Sequence, residues 1–209
     1  MERSASPSLP LEGAWIVDLD GVVWLAGQPI AGVGEAVGLL RERGVRVVFA
    51  TNNSAPTVDE LIERMRRADI GAEPADIITS AQAAASLVRP GESVLALADG
   101  GAREALVARG ARLVDEVRVD AVVVGWTHDF TFDRLAQAAD AVRAGARLIG
   151  TNDDPTHPTP TGLLPGSGAL LVSVVTASGH QAQVAGKPYQ PMIDLIKTHH
   201  PDVTVVVGD

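Results

Sequence analysis

The sequence predicts an α/β protein built on a doubly wound parallel sheet. Short apolar runs alternate with helical patterns along the 209 residues, and this βαβα order favours parallel strands joined by right-handed crossovers. Hydrophobic residues make up 46% of the chain, whereas aromatic residues make up only 3%. A core built mainly from Val, Leu, Ile and Ala suits parallel strands that helices cover.

The predicted elements form two successive series. The first series contains the strand WIVDLD, a helix over residues 34–43, the strand VRVVFATNN and a helix over residues 58–67. The second contains the strands SVLALAD, DAVVVGW and ARLIGTND, separated by helices over residues 102–109 and 132–144. The second series therefore predicts a smaller α/β unit of its own.

A segment rich in Pro and Gly, DPTHPTPTGLLPGSG, follows at residues 154–168. Three Pro between Pro155 and Pro160, with glycines from Gly162 onward, argue against a regular helix or a central strand. We expect a long rigid loop, and loops of this length tend to be functional. Helices over residues 169–177 and 192–198 and a last strand, VTVVVGD, complete the pattern.

Charge and composition exclude several classes of function. The formal net charge of -9 would repel phosphates, which argues against a nucleic-acid or anionic-membrane surface. No segment approaches 18 uninterrupted apolar residues, so no membrane span is predicted, and residues 1–13 are expected to be a flexible tail. The absence of Cys excludes thiolate chemistry and is compatible with a cytoplasmic location.

Polar residues follow several of the predicted strands. Asp18 and Asp20 end the first strand, Thr51 follows the second, Asp209 follows the last, and Lys187 lies in a turn that leads into a helix. Ligands of open parallel sheets bind outside the carboxyl ends of the strands, so these groups are expected to share one crevice. Clustered carboxylates are costly unless a hard divalent cation neutralises them, and oxygen ligands favour Mg²⁺. With hydroxyl, amide and ammonium donors beside them, the set indicates phosphoryl transfer.

Four ordered motifs resemble those of the haloacid dehalogenase (HAD) superfamily of phosphatases. They are Asp18-Leu19-Asp20-Gly21-Val22, Thr51-Asn52-Asn53, Gly186-Lys187-Pro188 and Gly208-Asp209. Each motif alone is more often an ordinary turn, helix cap or surface lysine, but their order and spacing together favour function. The segment TNDDPTHPTPTGLLPGSG, residues 151–168, resembles the cap loop of the class IIA branch with a large α/β cap. That branch includes NagD-like, 4-nitrophenyl, phosphoglycolate, glycerol-phosphate and pyridoxal phosphate phosphatases.

The resemblance implies a Rossmann-like core with an inserted α/β cap. The core would comprise residues 14–79 and 184–209, and the cap residues 80–183. Asp18 would be the nucleophile, forming an aspartyl-phosphate, and would also ligate Mg²⁺. Asp20 would give its backbone carbonyl to the metal, while its side chain protonates the leaving oxygen and later deprotonates water.

The remaining core motifs would hold the phosphoryl group and complete the metal site. Thr51 and the Asn52 amide would bind phosphoryl oxygens, Lys187 would balance charge, and Asp209 would complete the Mg²⁺ site. Gly21 and the VVWLAGQPI that follows it match the hairpin flap through which these enzymes sense cap closure.

Roles in the cap loop are less constrained. His157 resembles a residue that leans over the substrate, so it either contacts the leaving group or makes a structural hydrogen bond. Asn152 and Asp154 are expected to fix the loop through bonds from side chain to backbone. His199 and His200, at a helix end, are expected to be surface residues rather than metal ligands.

The leading functional hypothesis is a Mg²⁺-dependent phosphatase that hydrolyses a small phosphorylated metabolite, chosen by the cap, and that could form a homodimer through the cap. The family pattern continues beyond Asp209 with a further acidic residue, a helix and more sheet, so we expect the chain to be a fragment of a longer protein. This motivates the alternative of a non-catalytic phosphate-binding or dimerisation module.

A phosphotransferase or mutase fits the large cap less well. The cap-loop composition does not rank the substrates, although the absence of a basic stretch disfavours multiply phosphorylated ones.

Overall fold

The fold is described from a computed structural model, which covers residues 10–209. Most of the predicted tail, residues 1–9, lies outside the described residues. The strands are β1 Ala14–Val17, β2 Trp24–Leu25, β3 Gln28–Pro29, β4 Arg46–Thr51, β5 Ile77–Thr79, β6 Ser93–Leu97, β7 Arg112–Leu113, β8 Ala121–Val124, β9 Arg147–Gly150, β10 Thr156–Thr159, β11 Gly162–Pro165, β12 Gln183–Val184 and β13 Val203–Val207. The helices are α1 Val33–Glu42, α2 Val58–Arg66, α3 Ser80–Ser86, α4 Gly100–Ala108, α5 Phe132–Arg143, α6 Ser167–Ser178 and α7 Gln190–His199, with a 3₁₀ turn at Pro74–Asp76.

Two parallel sheets form the scaffold, which confirms the predicted α/β fold class. The first sheet has the order β13-β1-β4-β5, and the second has the order β12-β9-β8-β6-β7. Every strand pair within them is parallel. Helices cover both faces of the inner strands, which is why β1 and β8 are buried at every position.

The two sheets share one middle layer of helices. Ala83, Ala84 and Ala85 of α3 pack in a single apolar cluster with Val48 of the first sheet and Val123 of the second. A second cluster fills the space between the outer face of the first sheet and helices α1 and α2. A third lies between the outer face of the second sheet and helices α5 and α6. The result is five alternating layers of helix and sheet, with α3, α4 and α7 in the middle.

The sequence pattern located six of the helices to within about two residues but missed α3 and β5. The strand β5 has only three residues, and α3 is a seven-residue helix that contains four Ala and is buried at five positions. One sequence signal was present: Thr79 and Gln82 form a capping box, in which each side chain bonds the other residue's backbone N–H. Burial between two sheets, rather than amphipathic periodicity, stabilises this helix.

The segment at residues 154–168 is not the strandless loop that we expected. It forms the antiparallel hairpin β10–β11, in which His157 pairs with Leu164. The prolines are tolerated because the hairpin has only two strands, so each strand keeps an edge that needs no partner. A second small hairpin, β2–β3, follows Gly21 at the position expected for the flap.

No helix formed by residues 10–209 combines the length and the apolar character that a membrane crossing requires.

His200 is buried, which corrects the expectation that it is a surface residue. Its side chain is only 6% exposed at the end of α7, whereas His199 before it is exposed. Burial lowers the pKa of His200, and the nearby Arg46 and His199 lower it further. The folded protein therefore holds this imidazole neutral under conditions in which an unfolded chain would already protonate it.

We predict that this histidine contributes to acid sensitivity. Because its pKa is lower in the folded state, its contribution to stability is complete above the unfolded value of roughly 6.5 and is lost as the pH falls below it. Urea unfolding of the wild type and of His200→Gln at pH 7.5 and 5.5 measures this. The midpoint should fall less on acidification in His200→Gln, whereas His180→Gln, at an exposed histidine, should behave like the wild type. Equal acid sensitivity in His200→Gln and the wild type would contradict the prediction.

Candidate active site

Polar side chains from both α/β units line one cavity of about 360 Å³ at the carboxyl ends of the strands of the first sheet. Its lining includes Asp18, Asp20, Asn52, Asn53, Trp126, Asn152, Asp154, His157, Lys187 and Asp209. The fold thus brings together every predicted site residue except Thr51. A larger groove of about 910 Å³ runs along α3, α4 and α7, but none of the predicted site residues lines it.

Asp18 is held at both of its carboxylate oxygens. The backbone N–H of Leu19 donates to Oδ1 over 2.7 Å, and the Lys187 ammonium lies 2.6 Å from Oδ2. Lys187 also donates to the backbone carbonyl of Ala50 over 2.9 Å. The Lys187 and Asp18 side chains are 28% and 21% exposed, so the pair is shielded yet remains open to a ligand.

Asp20 lies two residues further on in a different environment. Its Oδ1 accepts a 2.9 Å hydrogen bond from the indole N–H of Trp24 in the small β2–β3 hairpin. Burial raises the pKa of Asp20, while the Trp24 bond and the nearby His157 oppose that rise. The two carboxylates of the Asp-Leu-Asp motif therefore have different environments: Asp18 is paired with the Lys187 ammonium, and Asp20 is buried beside the Trp24 indole.

Gly21 allows Asp209 to approach the loop that carries the two aspartates. Gly21 has a φ of +83°, and a Cβ at this position would lie 2.6 Å from Oδ2 of Asp209. Any side chain would strain the backbone and displace the Asp209 carboxylate. The last strand and the first loop meet at this point, although they lie at opposite ends of the described chain.

The loop after β4 differs in part from the prediction. Thr51 is 1% exposed and does not line the cavity; its hydroxyl accepts a 3.0 Å bond from the Asn53 backbone N–H. That bond uses the hydroxyl oxygen as an acceptor and does not involve the hydroxyl's own hydrogen. Asn52 lines the cavity, but its side chain bonds protein groups, as described below. Asn53 also lines it, and sequence reasoning had not singled it out beyond its place in the motif.

The second α/β unit closes one side of the cavity. Asn152 is 3% exposed and donates to the Asn52 carbonyl over 2.6 Å, while its own Oδ1 accepts from the Asp154 N–H over 3.1 Å. Asn152 thus fixes the loop through the backbone, as expected. Asp154 instead directs its carboxylate toward Asn52, and burial raises the pKa of Asp154. The His157 ring packs against Trp126 with 5.2 Å between the ring centroids.

Two residues, one at the cavity and one beside it, were not predicted from the sequence. Trp126 ends the DAVVVGW strand, and its indole N–H donates to the Pro165 carbonyl over 3.0 Å, which fixes the ring beside His157. Its position after an apolar strand was the one available signal, by the same rule that located Asp18 and Thr51. Arg64 of α2 lines an adjoining cavity with Asp20 and His157. Because Arg64 lies among the charged residues of α2, nothing in the sequence distinguished it from an ordinary surface arginine.

The donor set suits a hard divalent cation with a partly open coordination shell. Four carboxylates, those of Asp18, Asp20, Asp154 and Asp209, line the cavity with one lysine. Among residues 10–209, no three carboxylate or imidazole side chains form a ready metal cluster. The family resemblance, however, assigns Asp20 through its backbone carbonyl, so only two side-chain ligands are required. Two carboxylates and a carbonyl fit Mg²⁺, which retains several waters and binds substrate phosphate.

Comparison with known proteins identifies the family. A model of haloacid dehalogenase-like hydrolases matches residues 15–112. An acid sugar phosphatase from Staphylococcus haemolyticus is 35% identical over 203 residues, and the match covers 93% of this chain and 76% of that protein. The chain belongs to the haloacid dehalogenase-like hydrolase family. An acid sugar phosphatase from Staphylococcus aureus is 36% identical over 183 residues, covering 86% of this chain and 70% of its own length.

Solved structures of this family support the same assignment. A glycerol phosphate phosphatase from Mycobacterium tuberculosis, in complex with calcium, gives a TM-score of 0.87 at 35% identity. The match covers 94% of this chain but only 60% of that chain; the same phosphatase has also been solved in complex with magnesium. A putative p-nitrophenyl phosphatase from Bacillus subtilis gives 0.86 at 30% identity, covering 97% and 80%. The predicted family, fold and enzyme class, a phosphoric monoester hydrolase, are confirmed.

We predict that Gly186 is required for the close packing beside Lys187. A Cβ at Gly186 would lie 2.6 Å from both Oδ1 of Asn52 and the Thr151 carbonyl oxygen, and the backbone carbonyl has little room to move. Gly186→Ala should therefore lower the free energy of unfolding by about 1–3 kcal/mol, as overpacking does. Gly71→Ala is the matched control, because no atom lies within 4 Å of its added Cβ. Equal urea midpoints for the two variants would contradict the packing described.

Proposed function

We propose that the chain is a Mg²⁺-dependent phosphomonoesterase that works through an aspartyl-phosphate at Asp18. The observation that carries this proposal is the placement of the Asp18 carboxylate, 2.6 Å from the Lys187 ammonium and open to a cavity that also receives Asp20 and Asp209. A carboxylate held at both oxygens has a fixed direction of approach to a bound phosphoryl group. The relatives that bear phosphatase names support the same reaction class.

In the first step, a carboxylate oxygen of Asp18 attacks phosphorus and the bond from phosphorus to the leaving alcohol oxygen breaks. Asp20 donates its proton to that oxygen, a task suited to an aspartate whose pKa is raised by burial. The Lys187 ammonium, which lines the cavity, balances the negative charge that develops on the phosphoryl oxygens. The products of this step are the free alcohol and the aspartyl-phosphate.

In the second step, Asp20 takes a proton from water and the resulting hydroxide attacks phosphorus. The bond between phosphorus and the Asp18 oxygen breaks, which releases inorganic phosphate and restores the carboxylate. Asp18, Asp209 and the Asp20 carbonyl would hold Mg²⁺, whose charge offsets the repulsion between the carboxylate and the phosphate dianion. The solved complexes of the mycobacterial relative with calcium and magnesium support a divalent cation.

We further propose that the substrate is a small phosphorylated sugar or polyol. The names of the relatives, acid sugar phosphatase and glycerol phosphate phosphatase, support this class. Trp126 contributes an indole ring to the cavity lining, and His157 and Asp154 contribute polar groups for hydroxyls. An apolar ring beside a few hydrogen-bonding groups suits a small polyhydroxylated ligand.

The domain division also stays a proposal. Residues 14–79 and 184–209 would form the core and residues 80–183 the cap, which places Trp126, Asp154 and His157 on the cap. A homodimer through the cap draws support from exposed apolar side chains there, such as Phe132 at 81% and Val172 at 56% exposure. Sedimentation of the purified chain would test the dimer.

We predict that hydrolysis depends on Asp18 and on Mg²⁺. Asp18→Asn should lower the rate of phosphate release from 4-nitrophenyl phosphate by at least about 10³-fold, because it removes the covalent route. Asp133→Asn, at an exposed aspartate of α5, is the matched control and should retain wild-type activity. Chelation should abolish wild-type activity and Mg²⁺ should restore it, and a panel of phosphorylated metabolites should rank sugar or polyol phosphates first.

Hydrolysis that survives either Asp18→Asn or complete chelation would overturn the mechanism. Metal-dependent binding of vanadate without turnover would favour the alternative of a phosphate-binding module. A panel led by phosphorylated acids or nucleotides would contradict the substrate class alone.

A further inference from the structure

Both polar atoms of the Asn52 side chain bond protein partners. Its Oδ1 accepts from the Lys187 backbone N–H over 2.7 Å, and its Nδ2 donates to the Lys187 carbonyl over 3.1 Å. The second hydrogen of Nδ2 bonds Oδ2 of Asp154, also over 3.1 Å. The Asn52 amide thus bonds both the backbone N–H and the backbone carbonyl of Lys187, as a paired residue in a β-sheet does.

The residue held in this way is the one that pairs with Asp18. Lys187 extends from the backbone that Asn52 grips to an ammonium 2.6 Å from Asp18 and 2.9 Å from the Ala50 carbonyl. A lysine has four side-chain torsions, so a fixed backbone is needed to deliver its ammonium to one place. The close approach depends on Gly186, where a Cβ would lie 2.6 Å from Oδ1 of Asn52.

The backbone of Asn52 connects the same point to the second α/β unit. Its carbonyl accepts 2.6 Å bonds from the Ser80 hydroxyl and from Nδ2 of Asn152. Ser80 begins α3, through which the chain first passes from the first sheet to the second, and Lys187 lies where the chain returns. Asn52 therefore contacts both connections between the units and the loop that covers the cavity.

We infer that Asn52 is a positioning residue that holds Lys187 against Asp18 and couples the orientation of the second α/β unit to that ion pair. This inference rests on the proposed function, in which Lys187 balances the charge on Asp18 and the phosphoryl group. It changes the role expected of the Asn52 side chain, while leaving the Asn52 backbone N–H available to a phosphoryl oxygen.

A double-mutant cycle on the 209-residue chain tests the inference. Asn52→Ala should lower kcat/KM for 4-nitrophenyl phosphate by roughly 10- to 100-fold, the scale of loss for a misplaced catalytic group. In a Lys187→Ala background, the same substitution should cost less than about threefold, because the group that it positions is gone. Asn52→Asp keeps the acceptor for the Lys187 N–H and loses both donors, so it serves as a near-isosteric second variant if the alanine variant folds poorly.

A crystal structure of Asn52→Ala, or of Asn52→Asp, provides a readout that does not depend on turnover. The Lys187 ammonium should leave hydrogen-bond distance of Asp18 in the variant. Equal losses of activity in the two backgrounds, or an ion pair unchanged in the variant structure, would overturn the inference. If the wild-type chain hydrolyses no phosphomonoester, the proposed function fails, while the structural comparison still decides the role of Asn52.

Discussion

The ion pair between Asp18 and Lys187 is the interaction around which the site is assembled. It joins the loop after the first strand to the segment through which the chain returns from the second sheet, across 2.6 Å. If Asp18 or Lys187 lost its partner, a shielded charge would remain uncompensated, which destabilises the folded protein. The structural elements that position these two residues are therefore constrained. Ala50 of β4, which pairs with Ile78 of β5, supplies the carbonyl that also binds Lys187. Gly186 leaves the space for Asn52 beside Lys187.

The short segment after β4, residues 52–55, connects the two sheets through hydrogen bonds. Ser54 is fully buried, and its hydroxyl oxygen accepts from the Thr151 hydroxyl over 3.0 Å and from the backbone N–H of Trp126 over 3.3 Å. The Ala55 carbonyl accepts from the Gly101 N–H over 2.8 Å. Together with Asn52, these contacts place the residues of the second sheet that face the cavity at fixed positions above Asp18. In the proposed mechanism, these few hydrogen bonds would link recognition of the leaving group to charge balance at phosphorus.

Much of this arrangement was predictable from the sequence, because it depends on rules that act locally. Apolar runs such as AVVV locate buried parallel strands, and the rule that ligands bind at their carboxyl ends located Asp18, Asp20 and Asp209. Lys187 was predicted from its turn before a helix and from the motif that it forms with its neighbours. The features that escaped prediction depend on tertiary contacts. The helix α3 owes its stability to burial between two sheets, His200 is buried by its neighbours, and the Asn52 side chain finds partners more than a hundred residues away. No periodicity in the sequence records such contacts.

Direct detection of a covalent bond between Asp18 and phosphorus is the decisive test of the proposed mechanism. The wild-type chain would be mixed with excess substrate, quenched in acid within the first turnovers, digested and examined by mass spectrometry. If the proposed mechanism is right, the peptide that contains Asp18 will carry one phosphoryl group, and the same peptide from Asp18→Asn will carry none. Turnover with no phosphorylated protein at any quench time, or a phosphoryl group on a different residue, would contradict it.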